Sequence, residues 1–136
     1  MILVDTSGFF ALVDRDDVHH TPVCSALEAA VRGGETLLTH NYIVVECLAL
    51  MQRRLGMEPT RAFLRDLEKV VLEWVDRDLH DVAMERFRAA GRKLSLVDCV
   101  SLELARRRSI GNYIGFDPDF DRAGLRRYGP GGRDGS

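Results

Sequence analysis

Four carboxylates stand out in this sequence because their immediate neighbours are apolar. Asp5 follows Ile2, Leu3 and Val4; Glu46 is the one charge within YIVVECLALM, residues 42–51; Asp98 lies in LSLVDCVSL; Asp117 follows YIGF. Removing one unpaired carboxylate from water is costly, and gathering four is worse, so such a set usually survives because a cation neutralises it. Hard divalent cations take oxygen ligands, and magnesium typically uses one or two carboxylates with water and substrate phosphate filling the rest of its shell. The expected chemistry is a Mg²⁺ or Mn²⁺ site. Each acid also has a plain structural alternative. Asp5 could cap the helix that follows it, Glu46 could pair with Arg53 or Arg54, Asp98 could be the far half of a capping box with Ser95, and Asp117 could be a turn residue before Pro118.

Two other acidic readings fail on spacing. Asp117, Asp119 and Asp121 suggest a calcium loop, but the sixth and twelfth positions hold Arg122 and Tyr128 instead of Gly and Glu. An aspartyl-phosphate site at Asp5 lacks the second acid two residues on, where Ser7 stands.

The elements around these acids alternate in type. Met1 to Val4 reads as a short buried strand, and a helix follows from Thr6 or Ser7 to Val13. Thr21-Pro22 reads as a helix start, Thr as N-cap and Pro in the first position, with an end at Gly33-Gly34. Thr36 to Leu38 is a strand, Tyr42 to Leu55 a long helix ended by Gly56, and Pro59 opens another helix to Lys69. Val70 to Val75 is a strand, Asp78 caps a helix to Ala90, Ser95 starts one to Arg108, and Ile110 to Phe116 is a strand. Strand and helix in alternation predict an α/β sandwich on a mostly parallel sheet. In such sheets ligands bind at the carboxyl ends of strands, which puts Asp5 and Asp117 at one rim.

The 136 residues fit one domain, expected over 1–128, with the Gly-rich end 129–136 expected as a disordered tail. A net charge of −2 excludes simple electrostatic coating of nucleic acid but not a local basic patch. No run of 18 apolar residues suggests a membrane span, and the opening MILVDTSGFFALVDRDD lacks the basic start of a signal peptide. Cys24, Cys47 and Cys99 are widely spaced among small or apolar neighbours, form no zinc pattern, and suit a reducing cytoplasm.

The four acids and their flanks resemble the PIN-domain nucleases, and most of all the VapC-type toxins of toxin–antitoxin pairs. ILVDTSGFFAL, THNYIVVECLALMQRRLG, LSLVDCVSLELARR and IGFDPDFDRAGLRRY match the family's four acidic motifs in order over about residues 1–128. The resemblance implies a three-layer sandwich, with a mostly parallel sheet of about five strands and helices on both faces. It implies a Mg²⁺- or Mn²⁺-dependent endoribonuclease whose acidic quartet is Asp5, Glu46, Asp98 and Asp117. Asp5 and Asp98 are the expected direct ligands, while Glu46 and Asp117 ligate directly, ligate through water, or position the nucleophile. Thr6 or Ser7 would hydrogen-bond within the site, and Asp119 would be auxiliary. Two positions depart from the family pattern: Gly115 replaces the usual Thr two residues before the last acid, and His40 replaces a Ser or Thr.

Arginine gives planar, bidentate phosphate contacts, and the chain holds only two lysines, Lys69 and Lys93. Arg15, Arg53, Arg54 and the run Arg106-Arg107-Arg108 are candidate RNA contacts. His19 and His20 read as surface residues of a polar loop. The resemblance further implies a small antitoxin partner and a homodimer, with the apolar stretches Tyr42–Met51 and Phe63–Leu67 as candidate surfaces or, alternatively, ordinary core. Two other functions are compatible with the motifs: a housekeeping PIN nuclease of RNA maturation, and a PIN-like binding module without catalysis, for which Gly115 is the sequence support.

Overall fold

The computed structural model describes residues 1–129; most of the expected tail lies outside the described residues. The chain order is β1 (Ile2–Val4), α1 (Thr6–Val13), α2 (His20–Arg32), β2 (Leu37–His40), α3 (Asn41–Leu55), α4 (Met57–Leu67), β3 (Val71–Glu73), α5 (Arg77–Ala90), α6 (Leu96–Arg108), β4 (Asn112–Ile114), α7 (Pro118–Arg122) and β5 (Arg126–Arg127), with a 3₁₀ turn at Gly91–Lys93. The five strands form one parallel sheet in the order β3-β2-β1-β4-β5. The expected α/β sandwich is borne out.

β1 is central and buried along its whole length, as its Ile-Leu-Val sequence requires. Its side chains alternate between two cores. Ile2 and Val4 pack with Phe9, Val23, Ile43, Cys47, Met51 and Phe63 on the side of α1 to α4. Leu3 packs with Leu79, Ala83, Val100, Leu104, Tyr113 and Phe120 on the side of α5 to α7. The strand order turns outward in both directions from the β1–β4 pair, which makes the carboxyl end of that pair the topological switch point of the sheet.

Local boundaries differ from the expected ones for identifiable reasons. α2 begins two residues earlier, with His19 and not Thr21 at the N-cap position, because Asp17 accepts from the backbone of both His19 and His20. Pro22 still falls where a helix leaves its N–H unpaired. Asp76, not Asp78, caps α5, its side chain accepting from Leu79 N at 2.8 Å. Two elements had no sequence expectation: α7, only five residues, and β5, only two. Within the stretches named as candidate surfaces, Ile43, Cys47, Met51 and Phe63 are core residues, while Val45 and Leu64 remain exposed.

α1 approaches β4 closely because residue 8 has no side chain. A Cβ on Gly8 would lie 2.5 Å from the Ile114 carbonyl oxygen, a backbone atom that cannot turn aside. Gly8→Ala should therefore destabilise by about 1–3 kcal/mol through overpacking, despite a helix-propensity gain of about 1 kcal/mol. Urea unfolding of the purified variant checks this; unchanged or higher stability would contradict the packing described.

Candidate active site

The carboxyl ends of β1 and β4 carry the first and last acids. Asp5 follows β1 directly, and its backbone N–H donates to the Ile114 carbonyl at 3.1 Å. It holds the N-cap position of α1 without making a side-chain cap, so the capping alternative fails for Asp5. Its Oδ2 instead accepts from Ser7 Oγ at 3.0 Å. Asp117 stands three residues beyond β4 and caps α7, accepting from Asp119 N at 2.9 Å. Asp98 forms the expected capping box with Ser95 at the start of α6. Asp98 and Asp117 thus have their plain structural roles and also face the cleft; capping fixes where their carboxylates point.

Glu46 comes from the second turn of α3. Its Oε1 accepts from Thr6 Oγ1 at 2.5 Å, and it makes no pair with Arg53 or Arg54. All four acids line one open cleft of about 490 Å³, together with Thr6, Ser7, Phe10, Asp17, His19, Leu50, Phe116 and Pro118. Asp98, Asp117 and Asp119 each offer an oxygen within 4.8 Å of the other two. That trio includes Asp119, expected only as auxiliary, while Asp5, Glu46 and Asp17 are the other acids at the cleft. The Asp119 carboxylate is also paired with Arg122.

The two departures from the expected pattern have structural explanations. A Cβ on Gly115 would stand 2.8 Å from Ser7 Oγ and 3.1 Å from Asp5 Cβ. The Ser7 hydroxyl fills that space, donating to Asp5 and accepting from Phe116 N at 2.9 Å. His40 caps α3, Nδ1 accepting from Ile43 N at 3.3 Å, with Nε2 bonded to Ser101 Oγ at 2.8 Å. Burial lowers its pKa to about 3, which keeps the imidazole neutral and able to accept.

Among the described residues, no Arg or Lys lines the cleft. Arg15, Arg53 and Arg54 are exposed and lie outside its lining. Arg106, Arg107 and Arg108 sit at the far end of α6 from Asp98, in ion pairs with Glu103, Asp76 and Glu73. His19, read from the sequence as a surface residue, is at the cleft, as are Asp17 and Phe116. Phe116 could have been found as the neighbour of Asp117; nothing in the sequence marked Asp17 or His19.

Without a compensating cation Asp5 and Asp98 resist ionisation. Burial pushes Asp5 up to about 7, opposed by the Ser7 hydroxyl and reinforced by Asp98 and Asp117. Asp98 is raised to about 6, by burial first and then by Asp117 and Glu46. A cluster of four acids, two of them held back from ionising by burial and by their neighbours, fits a hard divalent cation.

The family model described as PIN domain matches residues 2–125. The chain belongs to the PIN-domain family. Among solved structures it is similar to VapC20 of Mycobacterium tuberculosis, titled a Sarcin-Ricin loop cleaving toxin, at 29% identity and a TM-score of 0.80, covering 92% of this chain and 96% of that one. It is also similar to VapBC2 of Rickettsia felis, solved bound to a promoter DNA fragment, at 11% identity and a TM-score of 0.72, covering 94% and 99%. The second likeness shows the fold alone. No curated protein matches the sequence.

The raised acids make the metal-free PIN domain pH-sensitive. Asp5 and Asp98 bind protons more tightly in the folded chain than in the unfolded one, so their contribution is complete below about pH 4 and is lost as pH rises through about 6 and 7. Metal-free protein should melt at progressively lower temperature across that window. Asp5→Asn should raise its melting temperature at pH 8 by several degrees, since each pKa unit is about 1.4 kcal/mol. Thermal melts in chelator from pH 4 to 8 check both; an Asp5→Asn protein no more stable than wild type would contradict the burial argument.

Proposed function

We propose that this PIN domain is a divalent-metal-dependent endoribonuclease and the toxin of a toxin–antitoxin pair. The observation that carries the reading is the meeting of Asp5, Glu46, Asp98 and Asp117 in one cleft at the switch point of a PIN fold. The similarity to a Sarcin-Ricin loop cleaving toxin, over nearly the whole of both chains, supports RNA as the substrate.

Asp98, Asp117 and Asp119 are spaced to hold a Mg²⁺ or Mn²⁺ ion, with Asp5 and Glu46 on hand as further ligands or as acceptors for its waters. When bound, the cation supplies Lewis-acid chemistry: it lowers the pKa of a water and offsets charge on the phosphoryl oxygens. The chain's own groups do the positioning. Ser7 orients the Asp5 carboxylate, and Thr6 fixes Glu46 by one oxygen, leaving the other to accept a proton or a water. In-line attack of water on phosphorus would expel the 3′-oxygen, leaving a 5′-phosphate and a 3′-hydroxyl. Arg15, Arg53 and Arg54 remain candidates for phosphates of the RNA beyond the cleft.

An apolar groove of about 490 Å³ between α2 and the end of α4, lined by Phe9, Leu12, Leu27, Val31, Leu37 and Val70, supports a protein partner such as an antitoxin. Exposed Val71, Leu72 and Trp74 on and beside edge strand β3 support self-association into a homodimer. No helix among the described residues is long and apolar enough to cross a membrane, and the free cysteines fit the cytoplasm. The binding-module alternative rests on Gly115, where a Cβ would crowd the Ser7 hydroxyl that orients Asp5. Gene neighbourhood separates a toxin from a housekeeping nuclease, since a toxin gene lies beside that of its antitoxin.

Antitoxin-free protein should cut a sarcin–ricin-type hairpin or a mixed structured RNA pool in Mn²⁺, and Asp98→Asn, purified identically, should lose at least about a hundredfold in rate. Gel analysis with and without chelator checks this. A fully active Asp98→Asn protein, or cutting unchanged by chelator, would overturn the assignment.

A further inference from the structure

The cleft has two kinds of wall. One is acidic: Asp5, Glu46, Asp98 and Asp117. The other holds Phe10, Leu50 and Pro118, with Asp17 as its one acid, and it includes a flat aromatic pair: His19 and Phe116 stack with ring centroids 3.8 Å apart and planes inclined by only 14°. Neither ring is buried, so the pair is not simply core. Both are held from behind. His19 N donates to Asp17 Oδ1 at 2.7 Å, and Phe116 N donates to Ser7 Oγ at 2.9 Å, the same hydroxyl that orients Asp5. The Arg127 guanidinium stands 5.6 Å from the Phe116 ring centroid, anchored by Asp121 and the Tyr113 hydroxyl. The His19 ring nitrogens have no hydrogen-bond partner among the described residues.

A stretch of RNA has the same division, an anionic phosphate joined to a flat base. Among the described residues no Arg or Lys is in the cleft lining, and Arg127, behind Phe116, is already paired with Asp121, so contacts other than ion pairs must carry affinity there. Stacking of bases on aromatic rings supplies sequence-tolerant affinity for unpaired strands. A platform already fixed by its neighbours loses little freedom when a base arrives. We propose that the His19–Phe116 stack seats an unpaired nucleobase of the RNA beside the scissile phosphate, with His19 a substrate-binding residue. The proposal rests on the ribonuclease reading above.

The test uses the full-length protein with His19→Ala and His19→Phe. His19 makes no side-chain cap to α2, so neither variant removes a helix-capping bond, and thermal melts of both check that the fold is retained. Two quantities are read in Mn²⁺: single-turnover cleavage of a sarcin–ricin-type hairpin as enzyme concentration is varied, and quenching of 2-aminopurine in a short unpaired ribo-oligonucleotide on binding. His19→Ala should weaken half-saturation about tenfold, leave the maximal rate within about threefold, and abolish the quenching, in line with the loss of one stacked base. His19→Phe, which keeps a flat ring, should restore both. Wild-type cutting with equal half-saturation and equal quenching in His19→Ala would overturn this proposal alone. A lower maximal rate at unchanged half-saturation, not rescued by Phe, would overturn it in favour of proton transfer by the imidazole. A wild-type protein that neither binds nor cuts RNA would overturn the ribonuclease reading and this one with it.

Discussion

The organisation of this protein depends on a buried carboxylate at the end of its central strand. Asp5 is 4% exposed, tied by its backbone to the end of β4, and its side chain meets a hydroxyl and two other acids but no basic group. Burial in water-poor surroundings without a counter-charge is the arrangement folding ordinarily avoids. The parallel β1–β4 pairing imposes it, since it brings the ends of both strands to one rim. The surrounding structure accommodates the acids by capping: Ser95 holds Asp98 and the first turn of α7 holds Asp117. Stability is given up locally, and a cluster of acids suited to the proposed cation results.

Most of the fold could be read in advance because its signals are local and strong. The Ile-Leu-Val run, the Ser95–Asp98 capping box and the glycines after the long helices each mark a boundary by their own chemistry. α7 and β5 were invisible because elements of five and two residues carry no periodicity; they exist through tertiary pairing with β4 and packing of Phe120. The start of α2 was misplaced because a Thr-Pro signal was outweighed by Asp17, whose acceptance from two backbone amides lies outside any simple cap motif.

The acids of the site were legible for a different reason: a charge among apolar residues is conspicuous whatever its three-dimensional place. Their relative nearness was not. That Asp98, Asp117 and Asp119 form the tightest trio follows from α7 folding back at Asp117. The meaning of Gly115 was equally hidden, because its partner Ser7 is 108 positions away in sequence but supplies the oxygen that would crowd a Cβ there. His19 reads as a surface residue in sequence because its stacking on Phe116 depends on where the loop between α1 and α2 comes to rest.

The central claim is that these carboxylates are waiting for a divalent cation, and calorimetric titration of Mn²⁺ into metal-free protein near pH 6.5 tests it most directly. Run in two buffers of different ionisation enthalpy, the titration counts protons as well as ions. Asp5 at about 7 and Asp98 at about 6 must give up the protons they share at that pH, so binding should release about one proton per protein. Saturable binding with that release is the expected result. No binding, or binding that releases no proton, would contradict the account.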